Sequence, residues 1–317
     1  MISIIIPTYR REELLKAAIL SAKKQSSKDW EIIVIDNDQD SSGSTSLIIK
    51  ELDDSRIRYY HTSIKGCTNA RNFGADKASS EVLLFIDDDI EFLHPSTFLR
   101  LEQLFAKDPS IGIIGAIELS KPDCNPVLSH SADIETVGKI FSSGEVCTGY
   151  DRLFGRGVTE VDHVRSAFLA IPKNVYCKVG GVDRAYDCLG YGFRAETDFC
   201  MKVKRAGYKV VVDPQIIIWH KVAQRKGAKF SRGKSISYSY YANRNHFVFM
   251  NRFFWRGKLL QNFKAILWGT SRPMSPGRCL YTGIRYLKPE NLVFLVVSLF
   301  AAVKGFQFYH RFDRRKC

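Results

Sequence analysis

The chain has 317 residues, enough for one large domain or two ordinary ones, and its 45% hydrophobic content excludes an intrinsically disordered polymer. The net charge of +14 is unevenly spread: from Lys221 onward 20 Lys and Arg face only Glu290 and Asp313, a net of +18, whereas the residues before it carry 27 against 31, a net of −4. The same C-terminal stretch holds 19 of the 39 aromatic residues, an asymmetry that points to a polyanionic partner, either nucleic acid or an anionic membrane surface.

Residues 2–6, ISIII, followed by Pro7 predict a buried strand stopped by proline. EELLKAAILSAKK (12–24) spaces its apolar side chains as a helix does, and WEIIVID (30–36) is a second strand ending at Asp36. NDQDSSGST is a turn cluster, LIIKEL a helix and IRYYH a short strand. CTNARNFGADKAS (67–79) reads as a helix and EVLLFI (81–86) as the next strand. Strands alternating with helices imply an α/β fold, a mostly parallel sheet flanked by helices. Ligands of such sheets bind outside the carboxyl ends of the strands, so Pro7-Thr8-Tyr9, Asp36 and Asp87 to Asp89 are expected on one rim. IGIIGAI (111–117) is a further strand, and 120–160 is loop-rich. SAFLAIPKNVYCKVGGVD predicts a strand, a short helix and a Gly-Gly turn; ETDFCMKVKRAGYKVVVDPQIIIWH predicts a helix, a glycine stop and a strand ending at His220. Beyond 220 the alternation ceases. YSYYANRNHFVFMNRFFW and KLLQNFKAILWG predict helices, and Leu292–Val303 is apolar but for Ser298. That run is too short to span a bilayer, which takes about 20 residues, and fits a buried helix or one half-sunk in the membrane interface. Two regions result: residues 1–220, and a basic, aromatic, mainly helical region 221–317.

VLLFIDDDIE (82–91) runs an oily strand into three adjacent carboxylates. A charged turn is the plain reading, but three carboxylates repel one another unless a positive charge compensates them, and a hard cation such as Mn2+ or Mg2+ does so. On a strand pleat, side chains i and i+2 share a side, so Asp87 and Asp89 are expected to face the site together with Asp88 turned away. Asp36 reads equally as the cap or Asx-turn of the loop after it, Arg71 as the partner of a surface Glu, and Asp198 as an acid favoured at a helix N-terminus. His220, taken alone, reads as a structural histidine.

In order along residues 1–250, SIIIPTYRR, VIDNDQD, GCTNARNFG, FIDDD, AETDFCMKVKRAGYKVVVDP and IIIWH together resemble the family-2 glycosyltransferases, inverting enzymes of the glycosyltransferase A (GT-A) fold. The resemblance implies a metal-dependent hexosyl- or deoxyhexosyltransferase of bacterial-type polysaccharide synthesis. It would move a sugar from a nucleotide-diphosphate donor to a glycan or lipid-linked glycan acceptor, with Mn2+ or Mg2+ as cofactor. It implies nucleotide-sugar contacts at Pro7, Thr8 and Tyr9 (through backbone groups), Asp36, Asn69, Arg71, Asn72, Asp87 and Asp88, and metal ligation by Asp87, Asp89 and His220. The family usually shows an acidic pair, one residue, then Asp; here Ala195 replaces the first acid, leaving Glu196 at the position of the catalytic base and Asp198 as the second candidate.

Eight cysteines without a C-x-x-C pair argue against a zinc ribbon or thioredoxin-like motif, and the N-terminus lacks a signal-peptide pattern, so a reduced, cytoplasmic protein on the inner face of the cell membrane is expected. A nucleic-acid-binding protein is the first rival, but no helix-turn-helix, zinc or RNA-binding signature is present. A Rossmann oxidoreductase needs G-x-G-x-x-G where Pro-Thr-Tyr stands. A nucleotidyltransferase on a similar sheet lacks a use for ETDFC and the late Trp-His.

Overall fold

A computed structural model describes residues 1–38, 43–63, 66–120, 132–142, 144–187, 192–221, 236–254 and 289–309. The elements in order are β1 (Ile2–Thr8), α1 (Glu12–Lys23), β2 (Trp30–Asp36), α2 (Ser44–Glu51), β3 (Ile57–His61), α3 (Cys67–Lys77), β4 (Val82–Ile86), β5 (Ile90–Phe92), α4 (Thr97–Lys107), β6 (Ile111–Leu119), β7 (Thr159–Val161), β8 (Phe168–Pro172), α5 (Lys173–Lys178), α6 (Ala195–Arg205), β9 (Lys209–His220), α7 (Ile236–Phe253) and α8 (Pro289–Phe308). The described strands form one sheet in the order β3-β2-β1-β4-β8-β6-β9-β5, with β7 added alongside β9. Neighbours from β3 to β4 are parallel; β8 then runs antiparallel to both β4 and β6, and β5 antiparallel to β9.

The core follows from alternation. Ile2, Ile4 and Ile6 bury one face of β1 in a cluster with Leu15 and Ile19 of α1, Ile32 and Val34 of β2, and Phe98, Leu101 and Leu104 of α4. Ile5 points to the opposite face, where Gly74 of α3 lies against it. Each such buried side chain contributes about 1.5–3 kcal/mol by removing apolar surface from water.

Four elements depart from the sequence expectation. β1 continues through Pro7 to Thr8, because its pairing with β4 ends at Ile5 and only β2 flanks it beyond; a residue without an N–H is tolerated where one side has no ladder. α4 and the three-residue strands β5 and β7 are additions. The predicted helix KLLQNFKAILWG lies outside the described residues.

The chain divides into two compact units, Met1–Lys139 with Cys147–Gly190 and Ala195–Lys226, and Ile140–Val146 with Tyr191–Arg194 and Gly227–Cys317. Within the second, α7 and α8 pack through small residues: Ser298 Oγ accepts from Asn243 Nδ2 at 3.3 Å, Ala301 and Ala302 are buried, and a Cβ on Gly305 would lie 2.8 Å from the Arg244 carbonyl. The outer face of α8 carries the large apolar residues, Val293, Val296, Leu299, Phe300 and Val303, at 43–66% exposure. No helix among the described residues is long and apolar enough to cross a membrane.

The close approach of α3 to β1 gives a stability test. A Cβ on Gly74 would meet Ile5 Cγ2 at 2.4 Å. Gly74→Ala is expected to lower stability by about 1–3 kcal/mol in thermal or urea unfolding, the clash outweighing the gain of about 1 kcal/mol in helix propensity. In an Ile5→Ala background the same change is expected to cost less, and equal costs in both backgrounds would refute the contact.

Candidate active site

β4 stops at Ile86, the last residue paired with β8, and residues 87–89 turn into β5. The three aspartates therefore lie in a turn and not on a pleat, and each has its own partners. Asp87 Oδ1 accepts from Arg71 Nη2 at 2.7 Å. Asp88 is buried behind the turn, accepting from Thr8 Oγ1 and Arg11 Nη1, each at 2.8 Å. Asp89 Oδ2 accepts from the same Arg11 nitrogen at 2.9 Å, and its Oδ1 faces His220 Nε2 at 3.3 Å. β5 brings the histidine there: Ile90 pairs with His220, and Lys221 N donates to Asp89 O at 2.8 Å. One ligand atom from each of Asp87, Asp89 and His220 then lies within 4.8 Å of the others.

Charge compensation shapes this cluster. Burial pushes the Asp88 carboxyl up to about 6, against the opposing pull of Arg11 and Thr8. Burial acts the same way on Asp89, but His220 and Arg11 overcome it and hold that carboxyl near about 2. Burial disfavours the His220 cation, yet Asp89 and Glu118 outweigh it and raise the imidazole to about 10. Two carboxylates and an imidazole suit Mn2+ or Mg2+. Asp89 Oδ1 is buried and accepts no well-aligned hydrogen bond, as fits an atom with lone pairs left for a cation.

Asp36 lies opposite Thr8 in the parallel register and is buried. Its Oδ1 accepts from Asp38 N at 2.9 Å, the Asx-turn geometry, and its Oδ2 from the Tyr59 hydroxyl at 3.0 Å. Pro7 stays within β1, and Tyr9 is half exposed beyond it. Thr8 is tied internally, its hydroxyl donating to Asp88 and its carbonyl accepting from Asn37 N at 3.1 Å. Arg10 takes a left-handed φ of 54° and binds Asp38 through two hydrogen bonds of 2.9 Å.

α3 begins at Gly66, which offers no side-chain cap, and Asp187 substitutes from a distant loop: its Oδ2 accepts from Asn69 N at 3.0 Å. A Cβ on Gly66 would collide with that carboxylate. Asn72, further along, binds across to Val182 through both N–H and C=O and accepts from the Tyr176 hydroxyl, a clamp between α3 and the 176–182 segment. Arg71 is buried, donating also to Ser166 O at 2.9 Å.

Glu196 and Asp198 both fall in the first turn of α6 but diverge. Glu196 is part-exposed and lines a recess with Arg71, Ser166 and Phe199. Asp198 is wholly buried and accepts from the Tyr186 hydroxyl at 2.9 Å. Sequence reading missed Arg11, Glu118 and Asp187. The doubled arginine of PTYRR and a lone Glu in the apolar run IGIIGAIEL were the available signals; Asp187 had none.

Residues 3–159 match the family model Glycosyl transferase family 2. Over 96 residues, 29% of this chain, the sequence is 42% identical to a GalNAc(5)-diNAcBac-PP-undecaprenol beta-1,3-glucosyltransferase of Campylobacter jejuni, a match spanning 30% of that relative's length. Among solved structures, a mannosyltransferase of Pyrobaculum calidifontis in complex with GDP-Man and Mn2+ superposes with a TM-score of 0.55 at 15% identity, over 99% of this chain and 82% of that one. GalNAc-T7 with UDP, GalNAc and Mn2+ superposes at 0.66 and 16% identity, over 99% and 56%. The sheet and its flanking helices are thus a GT-A fold, and residues 3–159, about half of the chain, match glycosyl transferase family 2.

Proposed function

We propose that this glycosyltransferase is an inverting enzyme that moves a sugar from a nucleotide-diphosphate donor to a glycan or lipid-linked glycan acceptor. The observation that carries the reading is the gathering of Asp87, Asp89 and His220 beside Arg71, whose buried guanidinium shares a recess with Glu196. Asp87, Asp89 and His220 would hold Mn2+ or Mg2+, which supplies charge neutralisation to the departing nucleoside diphosphate. The solved neighbours are in complex with GDP-Man and Mn2+ and with UDP, GalNAc and Mn2+, which supports that choice. Asp36, with lone pairs beyond its two internal bonds, and the end of β1 at Pro7, Thr8 and Tyr9 would take the nucleoside. Asn69 and Asn72 hold α3 so that Arg71 reaches Asp87. Glu196 removes the proton of the acceptor hydroxyl as that oxygen bonds to the anomeric carbon; the bond from that carbon to the diphosphate breaks on the opposite face. Asp198 is a poorer base because no acceptor reaches a side chain that is wholly buried.

The deciding experiment is thermal shift. A nucleoside diphosphate is expected to raise Tm only with Mn2+ or Mg2+ present, and a panel of nucleotide sugars should then identify the donor by its slow hydrolysis. Stabilisation by NAD or DNA instead would favour a rival class. Asp89→Asn is expected to lose the metal-dependent shift and to reduce transfer about a hundredfold or more, with near-native Tm in the absence of metal. Undiminished turnover with chelator present would remove the metal from the reading.

Glu196→Gln is expected to bind donor normally and to lose about a hundredfold or more in kcat, since the amide is nearly isosteric and takes no proton. Should Glu196→Gln be fully active and Asp198→Asn inactive, the base is Asp198.

We also propose that the basic region attaches the enzyme to an anionic membrane surface at the inner face of the cell membrane. The supporting observation is α8, which turns Ser298, Ala301 and Ala302 inward and Val293, Val296, Phe300 and Val303 outward, the inverse of a helix that faces water. Such side chains sink into a headgroup layer, and each nearby Lys or Arg adds about 1 kcal/mol on an anionic leaflet. The Campylobacter jejuni relative is named for an undecaprenol-linked acceptor, which agrees with work at a bilayer. In flotation, the protein is expected to rise with phosphatidylglycerol vesicles, less so at high salt, and a Val296→Glu, Phe300→Glu double variant to remain below. Wild-type protein that stays at the bottom with these vesicles at low salt would overturn the membrane reading.

A further inference from the structure

Glu118 is the one carboxylate of β6, in the run IGIIGAIEL, and its side chain is only 8% exposed. A buried charge is costly unless paired, so its partners explain its presence. Its register partner on β9 is Ile218, two residues before His220. Glu118 Oε2 meets His220 Nδ1 at 3.2 Å and Arg165 Nη1 at 3.0 Å. On the other side of the same ring, His220 Nε2 faces Asp89 Oδ1. The imidazole thus faces a carboxylate at each nitrogen, hydrogen-bonded at Nδ1 to Glu118 and within ion-pair distance of Asp89 at Nε2, and only Asp89 belongs to the set of three candidate metal ligands.

We propose that Glu118 is a positioning residue: it accepts the Nδ1–H of His220, fixes the ring plane and tautomer, and so presents Nε2 as the metal-facing atom beside Asp89. This rests on the metal reading above. Arg165 serves it in turn, neutralising Glu118 from the more exposed side and leaving its oxygen aimed at the ring. A carboxylate behind a ligating histidine raises the basicity of the ligand and removes its rotational freedom, and loss of such a partner typically weakens metal affinity 10–100-fold. A plain ion pair with Arg165 would not require Glu118 to contact the histidine, nor would it make the identity of the ligating nitrogen depend on Glu118.

The test uses the full-length protein and Mn2+ alone, titrated by the electron paramagnetic resonance of the free ion. Glu118→Gln is expected to weaken Mn2+ affinity by about 10–100-fold while metal-free Tm stays close to wild type, and Arg165→Ala to weaken it less. Asp89→Asn serves as the control for the metal reading itself. If Asp89→Asn abolishes Mn2+ binding and Glu118→Gln leaves it unchanged, the positioning role is wrong and the metal site stands; if neither changes it, the metal site is wrong. A second measurement needs no variant. Long-range proton–nitrogen spectra of 15N-histidine-labelled protein with Mg2+ should show His220 protonated at Nδ1 and metal-bound at Nε2, and the opposite tautomer would overturn the proposal.

Discussion

Three carboxylates at the end of one buried strand must find positive charge within contact distance, and the site is built around that constraint. Taken out of water, such charges are costly unless paired at close range. Arg11 reaches Asp88 and Asp89 from the loop after β1, Arg71 reaches Asp87 from α3, and His220 reaches Asp89 from the end of β9. Each of these cations arrives on a different element, so the turn fixes the mutual placement of the sheet, α3 and the last strand. The differing fates of Asp88 and Asp89 follow from the same balance. Both are buried, but Asp89 is flanked by two cations and Asp88 by one, so burial prevails only at Asp88.

The element that makes this possible is the smallest. β5 has three residues, yet its pairing with β9 converts a histidine 131 positions downstream of Asp89 into its neighbour. A strand this short contributes little stability by itself; its worth lies in register, because a slip of one residue would turn His220 to the other face of the sheet. The antiparallel strands beyond β4 have the same effect at larger scale, returning the chain so that Ser166 and Glu196 come to the rim at which β1, β2 and β4 end.

What was legible in the sequence is what periodicity and order encode. β1, β2, β3, α3, β4, β6, α6 and β9 stand close to their predicted spans, most directly β1, β2, β4 and β6, whose apolar runs end at clear stops. β5 and β7 were not legible, since three residues carry no period, and α4 was passed over although Phe98, Leu101 and Leu104 mark its buried face. Asp87 and Asp89 do come together, but through a turn, where the pleat argument assumed a continuing strand. Residue types pointed to Asp36, yet only the folded chain reveals that Tyr59 and the Asp38 amide engage both of its oxygens. Contacts such as Asp187 on the N-terminus of α3 join residues 118 positions apart, and no local signal announces them.

The two ends of the chain solve opposite problems of burial. In the sheet, charge is taken out of water and must be paired atom by atom, which makes Arg11, Arg71 and Glu118 as constrained in position as the aspartates and histidine they serve. In α8, small residues bury against α7 and the large apolar ones are left outside, an arrangement that costs free energy in water and costs less wherever a second apolar phase is present. Helix packing accounts for the inward face, since Gly305 admits the α7 backbone to within a distance that a Cβ would forbid. It reaches Phe300 only in part, through its ring contact with Tyr240, and leaves Val296 66% exposed. The membrane surface proposed above would supply that second apolar phase, and binding there would confine the search for a lipid-linked acceptor to two dimensions.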